Sequence, residues 1–286
     1  MLKINEIYNL DCFNFLKQIN NDIIDLAVID PPYNMKKAEW DTFKSHDEFL
    51  KFTYKWIDVL IPKINDNGSL YIFNTPYNSA FIMQYLISKK MIFQNWITWD
   101  KRDGLGASKR KYSNGQETIL FFTKSNEHIF NYEDIRVPYE STERIEHASK
   151  KGIIKNGKRW FPNPNGRFCG EVWHFSSERH KNKINGKVIK LGHETPKPLD
   201  MIERIIKASS NPDNLVLDCF VGTGTTALAA KKLKRNFICS DMNKNYTYLA
   251  KEKLKVIDKY EHTEEYTLNN FKNNEFLNSL KQNEFC

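Results

Sequence analysis

The chain has 286 residues, 40% of them hydrophobic, enough to bury the core of one large domain or of a domain carrying a substantial insert. It contains no run of about eighteen apolar residues, which excludes an ordinary membrane-spanning helix, and the start MLKINEIYNLDCFNFL lacks the basic head and apolar core of a secretory leader, so the cytoplasm is the expected location. Its net charge of +8 fits a polyanionic partner and fits a solvated basic face equally well, so where the charge lies in the chain decides what it says.

Alternating strand and helix signals begin at once. EIYNL reads as a strand leading to Asp11, and FNFLKQI as a short helix. IIDLAVI (Ile23 to Ile29) is short, apolar and β-branched, the composition of a strand buried on both faces. DPPYN follows. Pro31 and Pro32 each fix φ and lack a backbone donor, so Asp30 stands at the carboxyl end of that strand, the edge at which open α/β sheets bind ligands. DEFLKFTYKWIDVLIPKI predicts an amphipathic helix with Ser45 as its cap. GSLYIF predicts a strand, NSAFIMQYLISKK a helix, and FQNWITWD and ETILFFT two further strands. This rhythm predicts an α/β fold with a mostly parallel sheet and helices on its faces.

From about Phe130 to Gly192 the rhythm stops, and glycines punctuate a stretch carrying Trp160, Phe161, Phe168, Trp173 and Phe175. Between Arg144 and Lys190 twelve basic residues face three acids, so this segment alone accounts for the excess charge. Basic residues interleaved with rings suit nucleic acid, although an irregular insert with a small core of its own would use most of those rings for packing. The loop KRDGLGASKRK (Lys101 to Lys111) adds five basic residues against one acid. Cys169, His174 and His180 make only a partial zinc set, and the five cysteines, an odd number without a CxxC pair, read as reduced packing thiols.

Regularity returns with the helix PLDMIERIIKAS and then NLVLDCFVGTGTTALAAKKL and NFICSDMN: strand, glycine turn, helix, strand. Gly222 and Gly224 allow a tight turn and close approach of a ligand, and Asp241 at the next strand end can accept hydrogen bonds from ribose hydroxyls. An adenosine-containing cofactor is implied. Ala227 completes G-x-G-x-x-A, so a nicotinamide dinucleotide competes with S-adenosylmethionine. The glycine turn lies late in the chain, and only the sulfonium donor makes DPPY intelligible. A nucleobase amino group is a poor nucleophile. Asp30 and the Pro31 carbonyl could take its two N–H hydrogens, aim its lone pair at a methyl group and stabilise the developing positive charge, with the base stacked on Tyr33 outside the duplex.

At these residues the chain resembles the β-class DNA adenine-N6 methyltransferases, and among them those of MboII-type restriction-modification systems. DPPYN matches the catalytic motif, DCFVGTGTT the cofactor motif, and HETPKP (His193 to Pro198) the family's His-Pro-Thr-Gln-Lys-Pro segment, from which Glu194 and Pro196 depart. FNTPYN, NWITWDKRDG, GQETILFF, GKRWFPNPNGR and CGEVWHFSS carry the closer likeness. The resemblance implies a Rossmann-like methyltransferase sheet in circularly permuted order. Its catalytic half spans 1–129, a target-recognition insert 130–192, the cofactor-binding half 193–255 and a polar tail 256–286, read as a peripheral helix or a disordered end. It implies that Asp30, Pro31, Pro32 and Tyr33 are catalytic. It also implies that S-adenosylmethionine is held by Asp11, Cys12, Asp30, Thr195, Lys197, Asp218, Phe220, Gly222, Gly224, Thr225, Thr226 and Asp241, with Asp11 at the adenine and Asp241 at the ribose. Double-stranded DNA would be met by Lys101, Arg102, Lys109, Arg110, Lys111, Lys158, Arg159, Arg167 and Arg179, and no metal is expected. The implied target is adenine in a short asymmetric site of the 5′-GAAGA-3′ type. A homodimer and a separately encoded restriction endonuclease are left open as partners. Two other readings stand beside this one: cytosine-N4 transfer, for which related enzymes usually carry Ser in place of Asp30, and a non-catalytic DNA-binding protein with a vestigial cofactor fold.

Overall fold

Parallel pairing sets the architecture. The computed structural model describes residues 2–101, 109–110, 112–176, 183–184, 187–188 and 196–260. The strands are β1 (Glu6–Asn9), β2 (Ile24–Ile29), β3 (Ile64–Asn74), β4 (Ile92–Asp100), β5 (Gln116–Thr123), β6 (Ile153–Lys155), β7 (Lys158–Trp160), β8 (Val172–His174), β9 (Lys183–Ile184), β10 (Lys187–Val188), β11 (Leu215–Asp218) and β12 (Asn236–Asp241). The α-helices are α1 (Cys12–Leu16), α2 (His46–Leu60), α3 (Pro76–Ser88), α4 (Thr142–Lys151), α5 (Leu199–Ser209), α6 (Thr225–Lys232) and α7 (Lys244–Tyr260). Eight strands form one sheet in the order β1-β12-β11-β2-β3-β5-β4-β8, while β6 and β7, and β9 and β10, form separate hairpins. β5 is antiparallel to both β3 and β4, and the other pairings in the large sheet are parallel.

The helix and strand ends follow their local chemistry. Ser45 caps α2 by accepting from the Glu48 N–H at 3.1 Å. Pro62 stops that helix short of the expected end, and a single 3-10 turn (Ile61–Lys63) passes the chain into β3 at Ile64. Alternate residues of β2 then face two separate cores. Leu26 and Val28 pack with α5, α6 and α7 through residues such as Ile202, Leu228 and Ala250. Ala27 and Ile29 pack with α1, α2 and α3 through Phe15, Trp56 and Ile82. With both faces covered, the strand is apolar from Leu26 to Ile29, and its one polar residue, Asp25, near its start, accepts from the Asn65 side chain at 2.8 Å and the Leu215 N–H at 2.7 Å.

The sheet joins the ends of the sequence. β1 lies beside β12, with Asn9 opposite Asp241, and β2 lies beside β11, with Leu217 opposite Ala27. The carboxyl ends of β1, β2, β11 and β12 therefore share one edge. No described helix is long and apolar enough to cross a membrane.

The insert departs from expectation. β8 adds to the edge of the large sheet beside β4, and Trp173 is buried in the same core as Trp99. Arg204 of α5 lies over the Trp173 and Phe175 rings, at 5.1 and 4.6 Å from their centroids. Trp160, Phe161 and Phe168 are exposed: Trp160 ends a two-stranded hairpin, Phe161 follows it, and Phe168 meets Tyr132 edge to face, ring centroids 5.3 Å apart, with Arg136 at 4.4 Å from its own centroid. Residues 244–260 form α7, which runs from the cofactor-binding half into the first residues of the tail expected over 256–286. The rest of that tail, residues 261–286, lies outside the described residues.

Candidate active site

The loop after β2 is held by a residue the motif reading passed over. Asp41 is buried, and its Oδ1 accepts the Tyr33 and Asn34 N–H groups at 2.6 and 2.8 Å, while Oδ2 accepts that of Met35 at 2.9 Å. Asn34 and Lys36 adopt left-handed conformations, φ 59° and 56°, which a concentrated acceptor of this kind can hold in place. Asn78, in the first turn of α3, donates to the Tyr33 carbonyl at 2.8 Å. The peptide units on both sides of Tyr33 are thus fixed.

At the mouth of β2, Asp30 meets residues far away in sequence. Lys197 Nζ donates to Asp30 Oδ2 at 2.7 Å and lies 3.5 Å from Glu117 Oε2. The Tyr33 hydroxyl is 2.9 Å from Asp30 Oδ1 and 3.1 Å from Glu117 Oε2. Lys101 donates to the other Glu117 oxygen. Burial pushes the Glu117 carboxyl up, but Lys197 and Lys101 outweigh it and hold the group below the usual carboxylate range. Burial likewise works against the charge on Lys197, and Asp30 and Glu117 reverse that and raise its pKa. Burial, with Asp30 and Glu117 adding to it, pushes the Tyr33 phenol well above its ordinary value.

A cavity of about 450 Å³ opens at the shared strand edge, lined by Asp11, Cys12, Asp30, Phe220 and Asp241 among others. A recess of about 30 Å³ adjoins it, bordered by Asp30, Lys197, Asp218, Gly222, Thr225 and Thr226. This shape fits an adenosine followed by a short charged chain: Asp11 and Asp241 offer acceptors, Phe220 an apolar wall, and Lys197 a cation beside the recess. Asp241 accepts from the Gly222 N–H at 3.0 Å and from the Asn243 N–H at 2.8 Å, and burial raises its pKa against these two donors. Asp11 caps α1, accepting from Phe13 and Asn14 at 3.0 Å each.

Asp218 holds the glycine turn from behind. It is buried, accepting from the Phe220 N–H at 2.9 Å and from the Thr226 hydroxyl at 2.6 Å, and burial pushes its carboxyl up to about 8. Gly224 makes the turn expected of it and a close packing contact besides. Its φ is +90°, and a Cβ there would sit 2.7 Å from Ala250 Cβ of α7, so the close approach it permits is to a helix.

The expected DNA-facing residues divide. Lys158 is exposed on the β6–β7 hairpin, and Lys109 and Arg110 are exposed on their loop. Arg159 is exposed but donates to the Lys151 carbonyl at 2.8 Å, and Arg167 pairs with Glu140 at 2.5 Å. Lys101 points inward, its ammonium on Glu117 and 4.8 Å from the centroid of Trp99, so it does not belong to an outer basic face. Arg102, Lys111, Arg179 and Thr195 lie outside the described residues. His180 of the partial zinc set lies there too, while His174 pairs with Asp100 at 3.0 Å. Among the described residues no group of three metal-ligating side chains comes together.

Glu117, Asp41 and Asn78 were missed by sequence reasoning. The signal for Glu117 was the one acid in the strand segment ETILFFT, and for Asp41 an acid in the loop between DPPYN and the Ser45 cap; neither names its partners.

A family model described as DNA methylase matches residues 24–252. The chain is 69% identical over 250 residues to the type II methyltransferase M1.MboII of Moraxella bovis, covering 87% of this chain and 96% of that protein. It is 34% identical over 262 residues to the type II methyltransferase M.BglII of Bacillus subtilis, covering 86% and 68%. Among solved structures, the complex of M1.HpyAVI with SAM superposes with a TM-score of 0.55 at 26% identity, over 87% of this chain and 98% of that one. The cytosine-N4-specific PvuII DNA methyltransferase superposes with a TM-score of 0.62 at 18% identity over 89% and 91%, a likeness of fold alone.

Proposed function

The chain belongs to the DNA methylase family, and from that premise we propose that it transfers the methyl group of S-adenosylmethionine to the N6 amino group of adenine in duplex DNA. The observation that carries this reading is that Asp30 lines one cavity together with Asp11, Phe220 and Asp241, the acceptors and wall for the donor's nucleoside, and with Pro31, Pro32 and Tyr33, the groups that would meet the acceptor base. The cofactor supplies an electrophilic methyl on a positively charged sulfur. Asp11 and Asp241 hold its nucleoside, and Lys197 attracts its carboxylate.

The protein's own groups do the rest. Asp30 and the Pro31 carbonyl accept the two N–H hydrogens of the target amino group, which turns its lone pair towards the methyl. Asp30 stabilises the positive charge that develops on that nitrogen. The Tyr33 ring, fixed by Asp41 and Asn78, carries the base. The target must leave the duplex for this contact. The insert 130–192 is the region we assign to the flanking DNA, through Lys158 and the exposed rings Trp160, Phe161 and Phe168. A type II system also calls for a separately encoded endonuclease for the same site.

Asp30 favours adenine over cytosine, since the N4 enzymes that the motif resembles usually carry serine there. The test is to incubate duplex DNA with labelled cofactor, digest it to nucleosides and identify the product, starting with duplexes containing 5′-GAAGA-3′. N6-methyladenine is expected; N4-methylcytosine would transfer the reading to the cytosine class. Asp30→Ala should lower the rate by roughly 100-fold or more while the cofactor still binds, and near wild-type turnover would remove Asp30 from the mechanism.

A further inference from the structure

Both oxygens of Asp30 are already engaged: Lys197 donates to Oδ2 at 2.7 Å and the Tyr33 hydroxyl to Oδ1 at 2.9 Å. Each oxygen keeps a second lone pair, but an amino group that shares an oxygen with Lys197 or Tyr33 meets an acceptor already weakened by that donor, so full engagement requires one of them to leave. Whatever leaves must find another acceptor inside a buried site, because an unpaired ammonium or hydroxyl there is costly. Glu117 Oε2 lies within reach of both donors, 3.1 Å from the Tyr33 hydroxyl and 3.5 Å from Lys197 Nζ. The Tyr33 hydroxyl has one hydrogen and stands between two carboxylates, so it can turn from one to the other without moving its ring.

Resting on the methyl-transfer reading above, we propose that Glu117 is a positioning residue, the alternative acceptor to which Tyr33 and Lys197 turn when the target amino group takes their places on Asp30. Charge supports the same role. Two carboxylates, Asp30 and Glu117, face two ammonium groups, Lys101 and Lys197, and the set is balanced. Without the Glu117 charge both cations bear on Asp30 alone. Lys197 then has no second protein carboxylate to turn to, and Asp30 is held too strongly to serve the substrate. The groups facing Lys197 are Asp30 and Tyr33 from the end of β2, Glu117 from β5, Lys101 from the end of β4, and Asp218 from β11 across the recess. Asp41 and Asp241 line the adjoining cavity.

The test compares Glu117→Gln, Glu117→Asp and the double variant Glu117→Gln with Lys101→Met, using full-length protein at saturating cofactor and duplex. Glu117→Gln should lower the single-turnover methylation rate roughly 10- to 100-fold with cofactor affinity nearly unchanged. Glu117→Asp, which keeps the charge, should lose much less. The double variant restores the balance of charge and should recover several-fold over Glu117→Gln, whereas a merely structural defect would deepen. In Glu117→Gln the rate should also climb as the pH rises from neutral towards 10, because Lys197 loses an anionic neighbour, its burial is less opposed, and its deprotonation frees Asp30. The wild-type rate should show no such rise over that range, the ionisation of Asp218 near pH 8 being common to both proteins. Carbon-13 NMR of labelled lysine reads the fall in the Lys197 pKa independently of turnover. An unshifted Lys197 titration, a Glu117→Gln rate within threefold of wild type, or a double variant no faster than Glu117→Gln would overturn the proposal. A wild-type protein that makes no methylated base, with the Lys197 shift intact, would instead fail the reading of the function and leave the pairing of Glu117 with Lys197 standing.

Discussion

Replacing Asp41 with alanine removes one carboxylate and leaves at least three backbone donors without their acceptor. The bonds from Tyr33, Asn34 and Met35 are 2.6, 2.8 and 2.9 Å long, and Lys37 N is 3.4 Å away. Met35 is exposed, so water replaces its bond at little cost. Tyr33 and Asn34 are half-buried. At about 1.5 kcal/mol for each hydrogen bond to a charged group, those two give a loss of about 3 kcal/mol. The left-handed residues Asn34 and Lys36 lose their support as well, so the loop relaxes towards ordinary backbone. A change of that size is about a hundredfold in the population of the catalytic loop conformation. Urea unfolding of Asp41→Ala should show a stability loss of about 3 kcal/mol, and single-turnover methylation should slow by up to about a hundredfold. Asp41→Asn, which retains one acceptor oxygen, should fall between the two proteins. A variant that loses less than about 1 kcal/mol and less than threefold in rate would show that the loop does not depend on this carboxylate.

Three further outcomes are expected. Gly224→Ala must adopt φ +90° and place a Cβ 2.7 Å from Ala250 Cβ, so thermal unfolding should show a loss of roughly 1–3 kcal/mol; adding Ala250→Gly should restore only part of it, because the backbone strain remains. Asp218 carries a folded-state pKa of about 8 against an ordinary 3.8, so the folded protein holds a proton that the unfolded chain releases between those values. The stability it contributes is complete below about pH 4 and is lost as the pH rises through 8; Asp218→Asn should lack this slope, and a constant difference in Tm between the two proteins from pH 5 to 8.5 would contradict the assignment. Lys158→Ala on the exposed hairpin should weaken duplex binding and lower the slope of log affinity against log salt by about 1, with site preference unchanged; an unaltered slope would remove Lys158 from the phosphate contacts.

Much of this protein is determined by local sequence. The paired prolines end β2 at Asp30, Ser45 starts α2, and the glycines turn the chain between β11 and α6, each through a backbone property that the residue carries wherever it occurs. The β-strand composition also required both faces of β2 to be covered, and two cores do cover them. What periodicity reports is which residues share a face; it does not say what that face meets. Glu117 lies 84 residues from Tyr33, and Lys197 lies 167 from Asp30, yet all four share one buried cluster because β2, β3 and β5 are neighbours and α5 begins above them. The same limit explains Lys101. Its charge in a basic loop suggested solvent and DNA, but the pairing of Trp99 with Glu117 turns that end of β4 towards a buried carboxylate. Gly224 was legible as a turn, while Ala250, the atom it must avoid, belongs to a helix that packs there only once the sheet has formed. Backbone conformation is set within a few residues, whereas pairing between charges is set by strand order. Only the folded sheet supplies that order.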